Sequence, residues 1–402
     1  MRVVIAPDCF TGTLTASQAA AAMAEGWTEG APHDEIVQVP LSDGGPGFLD
    51  VLGAGLADSG VETLAVTVSD PLGRPAPAVV LLDRAAGGEG GVVPTAYIES
   101  AQAAGLHLLD AAERDPSRTS TCGVGELIEV ALAEGARRIV VGLGGSGTND
   151  GGAGMLAALG AGPRAALGLG GGLLRDLGDG DLPGLARVRE RLAGVDLVAA
   201  TDVSSPLLGL QGASAVFAPQ KGATPEQAQD LEAALGRYHE AVTRALGTPT
   251  DLLTGRPLRL DRAPGAGAAG GLGYGLFALG ARRVSGVDLV IETVGLRELV
   301  ADAALVVTGE GCLDWQSLQG KVVAGVAQTA LEVATPSVVI AGQVLLGRRE
   351  TMAVGLSGAY ALAETPEQVE AAMLDPVATL AARTARVART WSPRRAGPDL
   401  GS

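Results

Sequence analysis

Lysine is nearly missing from this chain. Of twenty-nine basic residues only two are lysine, Lys221 and Lys321, and the other twenty-seven are arginine. A composition that favours arginine removes lysine wherever any positive charge serves. The two that persist mark places where a compact ammonium on a flexible stem is wanted instead of a planar fork. Both lie in glycine-bearing segments, Phe217-Ala-Pro-Gln-Lys-Gly222 and Gln316-Ser-Leu-Gln-Gly-Lys321. Handling phosphate is the commonest task of that kind; retention on a solvated face is the plainer alternative. Histidine is scarce too. His33, His107 and His239 all lie outside the glycine loops, and His239 reads as a helix-surface residue, so histidine acid–base chemistry and a Ser-His-Asp triad have little support. Three well-separated cysteines, Cys9, Cys122 and Cys312, exclude a zinc-type cluster and point to a reducing compartment. Aromatic residues make up only 3%. No apolar run approaches the roughly 20 residues of a membrane span, and the N-terminus opens directly on a strand, so a cytoplasmic protein without a signal peptide is expected. The net charge of −16 argues against nucleic-acid and anionic-membrane partners.

What remains is aliphatic and glycine-rich. With 402 residues, 47% of them hydrophobic, and 60 glycines, the chain reads as an α/β protein of two domains. Arg2-Val-Val-Ile-Ala-Pro-Asp8, an alanine-rich helix capped by Thr15-Ala-Ser-Gln18, and Glu35-Ile-Val-Gln-Val-Pro-Leu41 form a βαβ unit of a parallel sheet. The alternation resumes near the C-terminus in strands 304–308, 337–341 and 359–363. A second capping box, Thr365-Pro-Glu-Gln368, opens the last helix. Between these ends, 61–83 reads as a hairpin around Asp70-Pro-Leu-Gly-Arg74, followed by a helix from about Gly125 and strands 138–141 and 195–199. Residues 162–184 lack periodicity and read as loop. The expected architecture is a doubly wound Rossmann-like parallel-sheet domain made of both chain ends (1–60 and 285–392) plus an inserted mixed-sheet α/β domain (61–284). Residues 393–402 are expected to be a disordered tail.

Carboxylates follow strands with regularity: Asp8, Asp43, Asp202, Glu310 and Asp314. In a parallel sheet these positions gather at the carboxyl edge, where ligands bind; helix capping or turn formation is the structural alternative for each. The densest motif is Val141-Gly-Leu-Gly-Gly-Ser-Gly-Thr-Asn-Asp-Gly-Gly-Ala-Gly154. It leaves a strand and opens a helix, so its N–H groups are placed to cradle phosphate, with Ser146 and Thr148 adding hydroxyls and Asn149 and Asp150 orienting a magnesium shell. It also satisfies the dinucleotide spacing. That reading needs an acidic residue about 20 positions on, and none occurs between Gly151 and Arg175. Pro264-Gly-Ala-Gly-Ala-Ala-Gly-Gly-Leu-Gly-Tyr-Gly275 is a second glycine loop, suited equally to tight packing or ligand contact. The segment ending at Lys321 lacks Walker A spacing. The cysteines border these loops without a base beside them and read as packing residues.

Seven ordered segments together resemble the bacterial type I glycerate kinase family from Arg2 to about Trp391. They are Ala6-Pro-Asp8, Ser42-Asp-Gly-Gly45, 144–152, Asp202-Val203 with Pro206-Leu207, Pro219-Gln-Lys-Gly222, 264–271, and Thr308-Gly-Glu-Gly311 with Asp314, Gln316-Ser317 and Gly320-Lys321. The resemblance implies ATP-dependent phosphorylation of D-glycerate with Mg²⁺, on two α/β domains around a cleft. It favours 2-phosphoglycerate as product, with the 3-phosphate as the alternative. Asp202, or else Asp314, would accept the hydroxyl proton, and Lys321 would neutralise the transferring oxygens. Asp8, Asp43, Lys221 and Gln316 would bind substrate. Gly144, Gly145, Ser146, Gly147, Thr148, Asn149, Gly265, Gly267, Gly270 and Glu310 would bind the ATP phosphates, and Asp150 and Asp202 the metal. The chain departs from the family pattern at Thr11, where a lysine is common, and at Pro46, Ser205 and Cys312. These departures keep open a kinase of another small hydroxy acid, or a non-catalytic ligand-binding relative. The sequence leaves the oligomeric state open, a homodimer among the options.

Overall fold

Val3, Val4 and Ile5 are fully buried, as expected of a strand covered on both faces. In the computed structural model, which describes residues 1–88, 91–178, 180–247, 255, 259–318 and 320–392, Arg2–Ile5 is an inner strand of a five-stranded sheet. The order across that sheet is Glu35–Gln38, Arg2–Ile5, Leu305–Leu313, Ser337–Val344 and Leu356–Ala361, every pair parallel. Numbered along the chain this is 2-1-3-4-5, a doubly wound order whose direction of winding reverses between Arg2–Ile5 and Leu305–Leu313. The expected strand at 304–308 is therefore too short: it runs to Leu313, so Glu310 lies within it, paired with Ala341. Thr15 and Gln18 form the expected reciprocal cap on Ala16–Gly30. The second expected box is only half formed. Thr365 caps Gln368 N, but the Gln368 side chain reaches past it to Glu364 N at 2.7 Å.

The chain divides into two compact units. One comprises Met1–Ser42, Asp50–Gly55 and the described chain from Val287 on; the other comprises Asp43–Leu49 and Leu56–Gly286. The second unit carries a six-stranded mixed sheet, in order Arg282–Val284, Asp196–Ala200, Arg138–Gly142, Thr95–Glu99, Pro75–Asp83 and Glu62–Ser69. The first four strands are parallel and the last two join antiparallel. Their hairpin closes where Asp70 Oδ1 accepts from Leu72 N and Arg74 N, both at 2.8 Å, an Asx turn that also draws in the Arg74 guanidinium.

Residues 162–184 are more ordered than a loop. They hold a short helix, Arg164–Leu167, and a 3₁₀ segment, Gly171–Asp176. Leu167 and Leu174 are fully buried, and Leu177 and Leu182 nearly so. Single leucines at irregular spacing pin these short turns to the core, which a search for helical period does not detect. His239 is likewise not a surface residue. It is half-buried, with Nδ1 2.9 Å from Tyr274 Oη and Nε2 3.6 Å from Asp261, and burial lowers its pKa. Residues 393–402, expected to be a disordered tail, lie outside the described residues. No helix among the described residues is long and apolar enough to cross a membrane.

Candidate functional site

The expected site residues fall into two sets, one in each unit. In the second unit the glycine-rich turn after Arg138–Gly142 is built around Asp150, which is fully buried. Its Oδ2 accepts from Thr121 N and Thr121 Oγ1, both at 2.8 Å, and from Gly154 N at 3.1 Å; its Oδ1 accepts from Gly152 N at 3.0 Å. Burial pushes its carboxyl above the ordinary value, and the four hydrogen bonds oppose that rise. Two expectations lose support. The Gly152 and Gly154 amides at the start of Ala153–Ala158 are taken by the chain's own carboxylate instead of being free for a phosphate. Asp150 spends both oxygens on the loop, an arrangement that favours a structural role over that of a ligand to Mg²⁺, which keeps several waters in its shell.

The neighbouring backbone is equally committed. Gly147 N donates to Ala104 O at 2.8 Å and Gly147 O accepts from Thr119 Oγ1 at 2.8 Å, which removes Gly147 as a phosphate donor. Gly267 and Gly270 are packing positions. A Cβ on Gly270, whose φ is +68°, would collide with Thr148 O, and one on Gly267 would collide with Pro206 O. Gly265 shows a looser environment beside the Arg283 side chain and Thr201. Thr148 Oγ1 and Asn149 Oδ1 are buried without a hydrogen-bond partner among the described residues. Asn149 Nδ2 donates to Ser214 Oγ at 2.9 Å.

Lys221 enters this loop from beneath. The 3₁₀ turn Pro219–Lys221 delivers its ammonium to Ser146 Oγ at 2.9 Å and Thr148 O at 2.7 Å. Only 2% of the residue is exposed, so retention on a solvated face is excluded. Burial lowers its pKa to about 7, against the opposing pull of the Asp150 charge.

The half-buried carboxylates of this unit gather at the carboxyl edge of its parallel strands. Gly44 packs against Ala200 O at the end of Asp196–Ala200, and Asp43 Oδ1 accepts from Gly45 N at 3.1 Å. Gly286 packs tightly between the two aspartates. A side chain there would collide with Asp43 O and press on Asp202 Oδ2, so glycine lets the two aspartate segments converge. Glu99, which sequence reasoning passed over, ends the buried strand Thr95–Glu99 and accepts from Gly47 N at 3.1 Å and Leu49 N at 3.3 Å. A carboxylate closing an otherwise buried strand was the available signal. Thr121 was passed over as well, because its role exists only through Asp150.

In the first unit the remaining residues collect where the sheet's winding reverses. Asp8 N donates to Gly309 O at 2.8 Å, Asp8 Oδ1 accepts from Cys9 N at 2.7 Å, and Thr308 Oγ1 donates to Ala6 O at 2.8 Å. The Asp8–Gly12 turn therefore runs beside Glu310, which is buried, and Gly311. Asp314 Oδ1 accepts from Gln316 N at 2.8 Å and Ser317 N at 3.2 Å, leaving Gln316 exposed. Lys321 is half-buried at the N-cap of Val322–Glu332. Burial raises the Cys312 thiol, helped by the Asp314 and Glu310 charges and opposed by Lys321. Five of the expected residues and two departures, Thr11 and Cys312, thus lie at the carboxyl edge at the switch point, where doubly wound folds bind ligands.

Residues 3–392 match the model of the glycerate kinase family. A protein named glycerate kinase from Halalkalibacterium halodurans is 38% identical over 398 residues, covering 97% of this chain and 98% of its own. A protein named glycerate 2-kinase from Escherichia coli K12 is 42% identical over 347 residues, covering 85% of each chain. Among solved structures, a "putative glycerate kinase 2" from Salmonella typhimurium LT2 superposes with a TM-score of 0.73 at 37% identity, covering 97% of this chain and 98% of that one.

Proposed function

Since the chain belongs to the glycerate kinase family, and is a phosphotransferase of that kind, we propose that it uses ATP to phosphorylate D-glycerate on the 2-hydroxyl. The name of the Escherichia coli relative supports the choice of hydroxyl. The observation that carries the reading is the convergence of Asp43 and Asp202 around Gly286 at the carboxyl edge of the parallel strands.

Phosphoryl transfer asks for positioning and charge neutralisation more than covalent chemistry. Asp202 accepts the proton of the attacking hydroxyl, with Asp314 as the alternative acceptor. Lys321 neutralises the transferring oxygens, and Asp8 and Gln316 take part in holding the hydroxy acid. Gly144, Gly145 and Gly265 remain the glycines assigned to the ATP phosphates, and Glu310 is assigned to ATP as well. Lys221 shapes the edge of the loop that carries Ser146 and Thr148. A magnesium ion fits this chain as one held by few carboxylates. Among the described residues no three His, Cys, Asp or Glu side chains form a metal cage, and Mg²⁺ is commonly bound through one or two carboxylates plus substrate phosphates. With Asp150 engaged by the loop, Asp43 and Asp202 would hold it, and it would supply charge neutralisation on the phosphates.

Asp202→Asn tests this reading. Its kcat in an ADP-release assay with D-glycerate is expected to fall on the order of 10³-fold with folding unchanged. Turnover within threefold of wild type would remove Asp202 from the chemistry and move the proton acceptor to Asp314.

A further inference from the structure

A cavity of about 950 Å³ in the second unit contains none of the residues assigned above to glycerate, ATP or magnesium. Its walls come from the Asp70 hairpin turn, the 117–122 segment, the Arg164–Leu167 helix, the following 3₁₀ segment and the long helix Pro225–Leu246. Two features give it a chemical character. Arg118, Arg164 and Arg175 all line it, against two carboxylates, Asp230 and Asp70, the latter held by Arg74, so the guanidinium groups outnumber the carboxylates in a chain of net charge −16. Arg164 is engaged by Glu126, but Arg175 has only a 3.8 Å contact with Asp176, and Arg118 is exposed without an ion pair among the described residues. Beside them the lining includes Leu169 and Leu173, both exposed large aliphatic side chains, and the buried Leu231. Uncommitted guanidinium forks beside apolar walls match a ligand with an anionic head and an apolar body.

We propose that this cavity binds a small organic phosphate, its phosphate on Arg118 and Arg175 and its body against Leu169, Leu173 and Leu231. The wall it would touch is tied to the glycine-rich loop. Thr119 bonds Gly147 O, Thr121 clamps Asp150, and the Gly171 backbone packs on Asn149 O. An occupant therefore has a short hydrogen-bonded route to the loop that Lys221 supports.

The test is equilibrium dialysis of AMP against the full-length protein in saturating non-hydrolysable ATP analogue, which fills the ATP site. About one equivalent of AMP is expected to remain bound, with affinity lowered tenfold or more in Arg118→Ala/Arg175→Ala, since each lost charge-assisted contact accounts for at least that factor. Both arginines are exposed, so the variant should fold, and unchanged thermal unfolding checks that it does. A lysine pair at the same positions should bind with intermediate affinity. AMP fully displaced by the analogue, or bound equally by the double-alanine variant, overturns the site. The readout is binding, so failure of the kinase reading and failure of this one are told apart.

Discussion

The two lysines end in opposite situations. Lys221 is enclosed beneath the glycine-rich loop, its ammonium held by Ser146 Oγ and Thr148 O, and burial brings its pKa down to about 7. Lys321 stands half-buried at a helix start beside Asp314, Cys312 and Glu310, with no side-chain capping bond. An arginine at position 221 would force five donors and a larger planar group into a space that satisfies two bonds. At 321 the half-buried ammonium is the one proposed to meet the transferring phosphate. One scarcity in the composition then has an architectural cause at 221 and, on the proposed function, a chemical one at 321.

The two lysines should differ most in catalysis. Lys321→Met is expected to lower kcat on the order of 10³-fold while leaving unfolding free energy within about 0.5 kcal/mol, since the side chain makes no hydrogen bond or ion pair among the described residues. A large stability loss would make Lys321 structural like its counterpart.

Lys221→Met should act instead through pH and stability. The folded pKa of Lys221 lies below its unfolded value of 10.5, so its contribution to stability is fully present above 10.5 and is lost as pH falls toward 7. Wild type should therefore gain about 3 kcal/mol relative to Lys221→Met between pH 7 and 9.5, as an upper estimate read by urea unfolding. A flat difference across that range would mean that the ammonium is solvated. The smallest effect is expected at Thr121→Val. It removes one donor to Asp150 and the acceptor for Met155 N at 3.0 Å, a loss of about 2 kcal/mol. No loss there would show that Asp150 holds the loop without Thr121.

Much of the fold was legible because it rests on local chemistry. Buried aliphatic runs named the central strands, Asp70 named its turn, and the Thr15–Gln18 pair named its helix. The carboxylates near strand ends were legible too, because strand polarity sends each to the carboxyl edge of its own sheet. What escaped reading depends on partners remote in sequence. Asp150 looked like a metal ligand because Thr121, its clamp, lies 29 residues away. Lys221 looked like a surface or substrate lysine because Ser146, its acceptor, lies 75 residues away. The glycine motif itself misled for a physical reason. A strand, a glycine turn and a helix make an anion site whether the anion is a bound phosphate or the chain's own aspartate, and spacing does not distinguish them. The four leucines that order residues 162–184 follow no period, so they carried no signal.

The proposed phosphoryl transfer to the 2-hydroxyl of D-glycerate is decided by proton-coupled ³¹P NMR of the reaction with ATP. A new phosphate ester split into a doublet by the single C2 proton is predicted. A triplet from the C3 methylene protons, or no new ester at all, would contradict it.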